Sequence, residues 1–149
     1  MRTFVYFARF EPDEDHGVVV SFPDVPEAIT EGDDEADVYA QAEEALGLAL
    51  LTYPSRDLPL PRARTRGGGL LRITVEPEVA AKLVVIEAVR TVGIKSEFAR
   101  RIGKDEKEAR RILDPRHPTK LPTLAAALRR LGQRLVIAVE PAATRRSVA

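Results

Sequence analysis

The chain has 149 residues, which suits one domain of ordinary size or two small ones, and its formal net charge is zero. Apolar residues make up 44% of it and aromatic residues only 5%, so a core of Leu, Val, Ile and Ala is expected. Cysteine is absent, which excludes disulfides, thiol chemistry and cysteine-based zinc sites. The N-terminus lacks the apolar stretch of a signal peptide, and no apolar run is long enough to span a membrane. We therefore expect a soluble, cytoplasmic protein.

The zero net charge conceals a strong asymmetry along the chain. Residues 1–53 contain 13 acidic residues and two arginines, a net charge of −11, and residues 54–149 carry the balancing +11. This asymmetry predicts two domains with different partners, because an acidic surface attracts a basic protein whereas a basic surface attracts phosphate. The alternative is a single fold in which the two halves neutralise each other.

The first part of the chain is predicted to begin with a small sheet. Alternating or β-branched segments predict strands at residues 3–10, 18–22 and 28–30. The acidic, turn-rich residues 11–17 are expected to join the first two strands as a hairpin. Adjacent carboxylates in a turn point in different directions, so we predict no metal site there.

A helix is predicted to follow the third strand. Residues 34–51 place apolar side chains at helical spacing, and Asp33 or Asp34 stands at the expected N-cap. Acidic residues in the first turn are favoured by the helix dipole, and Pro54 is expected to end the helix. The generic prediction is thus strand, loop, short strand and amphipathic helix.

Three short sequence motifs in this stretch are more specific than its helix and strand patterns. They are Phe-Pro-Asp-Val-Pro at 22–26, Thr-Glu-Gly-Asp at 30–33 and Ala-Glu-Glu-Ala-Leu at 42–46. Together they resemble the N-terminal domain of HicB-family antitoxins, over roughly residues 3–53. A Gly commonly follows the second Pro in that family, whereas Glu27 does so here. The alternative is an unrelated α+β domain with a proline-rich loop.

The resemblance implies a partial ribonuclease-H-like fold and a toxin partner. The expected partner is a small basic HicA toxin, an mRNA-cleaving ribonuclease with a catalytic His. The residues expected to bind it are Phe22, Pro23, Asp24, Asp33, Asp34 and Glu35. A nuclease of this fold needs carboxylates gathered around two metal ions, but the acids here lie in a turn, at a helix cap and on an exposed helical face. We therefore predict a non-catalytic domain without metal or cofactor.

The middle of the chain begins with a segment rich in Pro, Arg and Gly over residues 54–69. This composition is typical of an exposed connection. Residues 70–75 alternate like a further strand, and the family resemblance implies that this strand rejoins the N-terminal sheet. Pro77 stands at the favoured first position of a helix that is expected to run to Val92 and end at Gly93.

The last part of the chain carries a pattern typical of short helices. Ser96 is predicted to cap a helix over residues 97–102, Gly103 to end it, and Asp105 to cap a second helix over residues 106–113. Two short helices joined by a tight glycine turn fit a helix-turn-helix.

A third helix is predicted over residues 122–131. The series SEFARRIGKDEKEARRILDP, followed by LPTLAAALRRLG, is similar to the lambda-repressor-like helix-turn-helix family. Lys104 departs from that pattern, because a small apolar residue is usual there. Residues 134–139 alternate like a final strand, which suggests pairing between two subunits. The predicted units are a toxin-neutralising domain at 1–92, a DNA-binding and dimerisation domain at 93–140, and a tail at 141–149.

In a helix-turn-helix, the second helix enters the major groove. Lys107 or Arg111 could donate to guanine and Glu106 could accept from cytosine, with Arg110 on or beside the same exposed face. Residues 90–134 have a net charge of +8, which favours DNA. The residues placed for phosphate contacts are Arg100, Arg101, Lys104, Arg116 and Lys120. The alternative is a basic helical bundle that binds no DNA.

The sequence as a whole predicts an α+β protein that neutralises a HicA-like toxin and represses its own operon as a homodimer or higher homo-oligomer. Two hypotheses of other classes stay open. One is a stand-alone regulator whose N-terminal domain senses a ligand or serves oligomerisation. The other is a divergent ribonuclease-H-like enzyme, although His16 and His117 both lie in predicted loops and no nucleophile or phosphate-loop motif is present.

Overall fold

The computed structural model describes residues 1–141, apart from the side chains of Glu35 and Ala36. Its strands are β1 (Val5–Pro12), β2 (Val18–Ser21), β3 (Ile29–Gly32) and β4 (Leu71–Thr74). Its helices are α1 (Glu35–Ser55), α2 (Pro77–Val92), α3 (Phe98–Ile102), α4 (Glu106–Leu113) and α5 (Leu121–Arg130). The predicted α+β class is confirmed.

The four strands form one antiparallel sheet in the order β3-β2-β1-β4. Tyr6 and Ala8 of β1 are buried while the intervening Phe7 is half-buried, as the two-residue period of a strand requires. Tyr6 lies opposite Ile73 of β4. The prediction that the strand after the Pro/Arg/Gly-rich segment rejoins the sheet is therefore confirmed. The segment 54–69 finishes α1 with its first two residues and then forms an internal loop, called the 54–69 loop below.

A first apolar cluster lies between this sheet and α1. Ala42, Leu46 and Leu50 recur every four residues on one face of α1, and each is fully buried. The buried members are Tyr6, Ala8, Val20, Phe22, Val25, Ala28, Val38, Ala42, Leu46, Ala49, Leu50, Leu60, Ile73, Val75 and Leu83.

The end of α1 differs from the prediction, because the helix runs past Pro54 to Ser55. Proline removes one backbone N–H donor, and that loss is small in the last turn. The turn is closed by hydrogen bonds from Arg56 N to Thr52 O and from Leu58 N to Tyr53 O. The expectation that Pro54 ends the helix was wrong.

A second apolar cluster is built by α2 to α5. Its buried members are Ala81, Val85, Val89, Ile94, Phe98, Ala109, Ile112, Leu124, Ala127 and Leu128. The helix α2 belongs to both clusters, since Leu83 packs in the first while Ala81 and Val85 pack in the second. It begins at Pro77 as expected and ends at Gly93, whose φ of 71° is left-handed.

Two short helices, α3 and α4, meet at Gly103, which also has a φ of 71°. Asp105 caps α4 as predicted, and its carboxylate accepts from Glu108 N at 2.8 Å. The predicted cap at Ser96 was wrong. A turn with a hydrogen bond from Glu97 N to Ile94 O occupies that stretch, and α3 begins only at Phe98.

The predicted final strand was also wrong for this single chain. Residues 133–141 are within the described range and form no strand there. A strand needs a hydrogen-bonded neighbour, and here Val136, Ile137 and Val139 instead lie exposed. The Glu140 carboxylate pairs with Arg72 of β4 at 2.8 Å. The rest of the predicted tail, residues 142–149, lies outside the described residues.

Because α2 contributes to both clusters, we expect the two clusters to unfold in one cooperative transition. Leu83→Ala should lower the free energy of unfolding by about 3 kcal/mol, and Leu48→Ala, at a side chain 60% exposed, by less than about 1 kcal/mol. Urea unfolding followed by circular dichroism measures both, and calorimetry checks for a single transition. Two separate transitions, only one of them shifted by Leu83→Ala, would contradict the expectation.

Candidate functional site

The basic face of the helix pair α3–α4 is the first candidate site. Ala109 and Ile112 turn one side of α4 into the second apolar cluster, with 5% and 2% of their surfaces exposed. The opposite side is therefore directed to solvent. Of the predicted DNA-binding residues, Lys104 is half-buried, and the exposed ones are Arg100, Arg101, Glu106, Lys107, Arg110, Arg111, Arg116 and Lys120.

The exposed residues of α4 form two i,i+4 pairs of different character. Glu106 and Arg110 are both 82% exposed and form an ion pair at 3.5 Å. Such an exposed pair stabilises a helix only slightly, so it can open for another partner. Lys107 and Arg111 are the second pair, and they line a groove between α4 and the loop that leads to α5. The helix thus presents a mixed pair beside a purely cationic one.

Three of the predicted phosphate-binding residues are engaged with carboxylates. Lys104 Nζ lies 2.8 Å from Glu108 Oε1, and Arg116 Nε lies 3.3 Å from Asp114 Oδ1. Arg100 Nη2 lies 3.6 Å from Glu97 Oε2. The Asp114 carboxylate also accepts from Arg116 N at 2.9 Å. These hydrogen bonds lower the pKa of Asp114, the backbone bond being the main cause. Asp114 therefore stays ionised and shapes the start of the loop.

Lys82 is a functional candidate that the sequence reasoning missed. Its side chain is only 3% exposed, and among the described residues it is the one charged side chain that is buried. Burial lowers its pKa to about 8, against a smaller opposing effect of the nearby Asp114 charge. A signal was available, because Lys82 stands among the inward-facing apolar residues of α2.

The Phe-Pro-Asp-Val-Pro loop is the second candidate site. Phe22 is 2% exposed and belongs to the first cluster, whereas Pro23 is exposed. The Asp24 carboxylate accepts three hydrogen bonds of 2.8 Å, from Arg64 N, Thr65 N and Thr65 Oγ1. Partial burial acts to raise the pKa of Asp24, but the bonds from Thr65 and Arg64 outweigh it and lower the pKa below its usual range.

The loop residue that departs from the family pattern has a definite contact. Glu27 Oε2 accepts from Tyr53 Oη at 2.6 Å, which ties the loop to the last turns of α1. Burial and this hydrogen bond raise the pKa of Tyr53 to about 12. The 54–69 loop is held by a separate hydrogen bond, in which Tyr6 Oη donates to Pro61 O at 2.8 Å. Loop 22–27 and loop 54–69 are therefore both anchored to the first cluster.

The acidic residues at the start of α1 lie apart from Asp24 in the sequence. Asp33 and Asp34 are exposed and directly precede the helix, and Asp34 O accepts from Val38 N at 2.9 Å. The side chain of Glu35 lies outside the described residues. The toxin-binding role assigned to these residues, and to Phe22 to Asp24, stays a prediction.

Other kinds of site have little support within residues 1–141. Among the side chains that the structure describes in this range, no group of His, Cys, Asp and Glu is suited to hold a metal ion. No helix of the described chain combines the length and apolar composition that crossing a membrane would require. The two candidate sites therefore consist of charged surface and hydrogen-bonded loops.

Comparison with known proteins assigns the chain to a family. Residues 5–83 match the family model described as "HicB_like antitoxin of bacterial toxin-antitoxin system". The chain belongs to the HicB-like antitoxin family. Antitoxin HicB 2 of Photorhabdus laumondii is 36% identical over 131 residues, which cover 87% of this chain and 92% of that protein. Antitoxin HicB of Escherichia coli K12 is 32% identical over 133 residues, covering 87% of this chain and 95% of that protein.

The family model and the relatives differ in how much of the chain they cover. The family model covers the sheet, α1 and the start of α2, whereas Antitoxin HicB 1 of Photorhabdus laumondii, 33% identical over 138 residues, covers 91% of the chain. The likeness to HicB proteins therefore extends into the basic helices. Membership of this family supports an antitoxin role and favours a regulatory protein over an enzyme.

The three hydrogen bonds of Asp24 predict a stability effect. Asp24→Ala should lower the free energy of unfolding by about 2 kcal/mol at neutral pH. The control Asp15→Ala, in the exposed turn between β1 and β2, should change it by less than about 0.5 kcal/mol. Folding lowers the pKa of Asp24, so its contribution is present above the unfolded pKa and is lost as the pH falls through the folded pKa.

Urea titrations at several pH values test this expectation. The difference between the wild type and Asp24→Ala should shrink below about pH 4, where the carboxylate of the unfolded chain is protonated. A difference that stayed constant down to the lowest pH, or that matched the Asp15→Ala control, would show that Asp24 does not hold the 54–69 loop.

Proposed function

We propose that this HicB-like protein binds and neutralises a HicA-like, mRNA-cleaving toxin in the cytoplasm and represses transcription of its own operon. The observation that carries the proposal is the similarity to proteins named Antitoxin HicB along most of their length, through the acidic sheet domain and the basic helices alike. In this proposal the protein is not an enzyme, and the fold of its first domain is a partial ribonuclease-H-like one.

The toxin-binding half of the proposal rests on charge. Residues 1–53 have a net charge of −11, and a toxin that binds RNA must present a basic surface. Complementary charge speeds the capture of such a partner and masks the surface that attracts RNA. The proposed contact surface comprises the loop at Phe22, Pro23 and Asp24 together with the acidic start of α1.

The DNA-binding half of the proposal treats α3 and α4 as a helix-turn-helix. The left-handed Gly103 and the capping Asp105 are features that this motif would use to turn and start its second helix. In this scheme Lys107, Arg111 and Glu106 meet base edges. The residues that contact phosphates are Arg100, Arg101, Lys104, Arg116 and Lys120.

Repression is proposed to require a homodimer or higher homo-oligomer, because one short reading helix gives little specificity alone. The exposed side chains of Val136, Ile137 and Val139 support a contact between subunits at the C-terminal segment. In a pair of chains this segment would gain the neighbouring strand that a single chain lacks.

Co-expression with the product of the adjacent small gene tests the proposal. We expect a stable complex that cannot cleave RNA and that shifts a promoter fragment from the same locus. Asp33→Lys combined with Asp37→Lys should slow capture of the toxin, more so at low ionic strength. The matched control is Glu14→Lys with Asp15→Lys, which makes the same change of charge in the β1–β2 turn.

The outcomes separate three cases. A stronger effect at Asp33 and Asp37 than at the control supports contact near the start of α1. Equal effects would mean that only the overall charge matters there. DNA binding without any toxin partner would instead favour a stand-alone regulator.

A second prediction concerns operator recognition. Lys107→Ala combined with Arg111→Ala should lower the preference for the operator over unrelated DNA at least about tenfold, because each base contact contributes about 1–3 kcal/mol of discrimination. The control Arg129→Ala with Arg130→Ala removes the same charge from exposed positions of α5. Competition measurements at fixed salt give the preference, and toxin neutralisation should be unchanged. Loss of both activities together would argue against separate binding surfaces.

A further inference from the structure

The ammonium group of Lys82 makes three hydrogen bonds inside the second half of the molecule. Nζ donates to Arg111 O at 2.8 Å, to His117 O at 2.7 Å and to Thr119 Oγ1 at 2.7 Å. An ammonium has three N–H donors, so all of them have partners. These partners lie in the last turn of α4 and in the loop that leads from α4 to α5.

One turn earlier on the same face of α2, Glu78 makes a related contact. Its Oε1 accepts from Leu121 N, the first residue of α5, at 3.3 Å. Glu78 and Lys82 are four residues apart and therefore neighbours on the helix surface. Together they hold both ends of the loop 114–120, which also contributes to the groove beside Lys107 and Arg111.

Stability alone does not account for a buried lysine at this position. Removing an ammonium from water is costly, and an apolar residue of similar size often serves stability as well or better. The ammonium instead fixes the relative position of two segments, because three acceptors on them must converge on one nitrogen atom. The positive charge also lies at the carbonyl end of α4, where the helix dipole favours a cation.

We propose that Lys82 is a positioning residue for operator binding: it fixes the end of α4 and the loop 114–120, so that Lys107, Arg111 and Lys120 face DNA in one arrangement. Lys82 itself touches no DNA in this scheme. The inference rests on the proposed DNA-binding function and adds to it a group inside the protein on which operator affinity depends.

The titration of Lys82 gives this role a distinct signature. Asp114 is the charged residue that acts on Lys82 directly. The other charged and titratable residues on α2 and the segments tied to it are Glu78, Arg111, Arg116, His117 and Lys120. The Asp114 charge favours the ammonium, but burial outweighs it and lowers the pKa of Lys82 from 10.5 to about 8. Between these two values the unfolded chain binds more protons than the folded one, so the contribution of Lys82 to stability rises with pH.

Operator affinity should change in the opposite direction over the same range. The neutral amine that forms above about pH 8 has two N–H donors for three acceptors, so one of the three acceptors loses its hydrogen bond. A purely structural role would move stability and affinity together. A positioning role predicts that affinity falls although the stability contribution of Lys82 rises.

The test uses the full-length protein and a promoter fragment from its own locus, with fluorescence anisotropy at constant ionic strength. From about pH 7 to about pH 9, wild-type affinity should fall about fivefold. Lys82→Met should bind about tenfold more weakly at pH 7 and show no such fall. Arg130→Met is the matched control, since it removes an exposed positive charge and should keep the wild-type pH profile.

A second variant covers the case in which Lys82→Met fails to fold. Thr119→Val keeps the ammonium and removes one acceptor, and it should weaken operator binding several-fold while circular dichroism and toxin neutralisation stay unchanged. Full operator affinity in a folded Lys82→Met or in Thr119→Val, or the same pH profile in the wild type and Lys82→Met, would overturn the inference alone. A wild type that binds no promoter DNA at any pH would overturn it together with the proposed repression, whereas the toxin assay would still report on neutralisation.

Discussion

The packing of α2 against two apolar clusters is the constraint on which the rest of the structure depends. Ala81 and Leu83 are only two residues apart, yet one packs with the C-terminal helices and the other with the sheet and α1. A continuous helix is stiff over this distance, so the two clusters have a fixed separation and angle at this point. The acidic part and the basic part of the chain are therefore joined by a shared helix rather than by a flexible linker.

The half-buried Asp24 and the buried Lys82 organise the surfaces on either side of this helix. The Asp24 carboxylate accepts three hydrogen bonds and holds the 54–69 loop, and the Lys82 ammonium donates three and holds the 114–120 loop. Both loops lie beside a surface with a proposed partner. In each case a single charge replaces the regular backbone hydrogen bonds that a loop lacks, which explains how irregular segments keep a defined shape.

Local patterns in the sequence predicted the elements of the fold well. Alternating or β-branched segments identified all four strands. Pro77, Gly93, Gly103 and Asp105 marked helix ends correctly because each acts through its own backbone or side-chain geometry. Two of the errors arose where contacts with another segment determine the local structure. The turn at Ile94 displaced the predicted cap, and the C-terminal segment lacks a partner strand in a single chain.

The candidate sites were predictable to a smaller extent. Exposure of Lys107 and Arg111 follows from the burial of Ala109, so the helical period was sufficient. The three contacts of Lys82 were not predictable, since Thr119 lies 37 residues away and only tertiary packing brings it near. The same holds for Asp24, whose partners at Arg64 and Thr65 follow about 40 residues later.

Anchoring of the 54–69 loop bears on the lifetime of the protein in a cell. The loop contains four arginines, and a mobile segment of that composition would be an easy substrate for proteases that cut after basic residues. Cleavage needs the backbone to lift away from the protein, which here requires the hydrogen bonds that Asp24 accepts and the one that Tyr6 donates to break first. The rate of any cleavage in this loop would then be governed by the opening of the loop. A toxin bound over the neighbouring Phe22–Pro26 segment would slow that opening, so partner binding and protein turnover would be linked through one carboxylate.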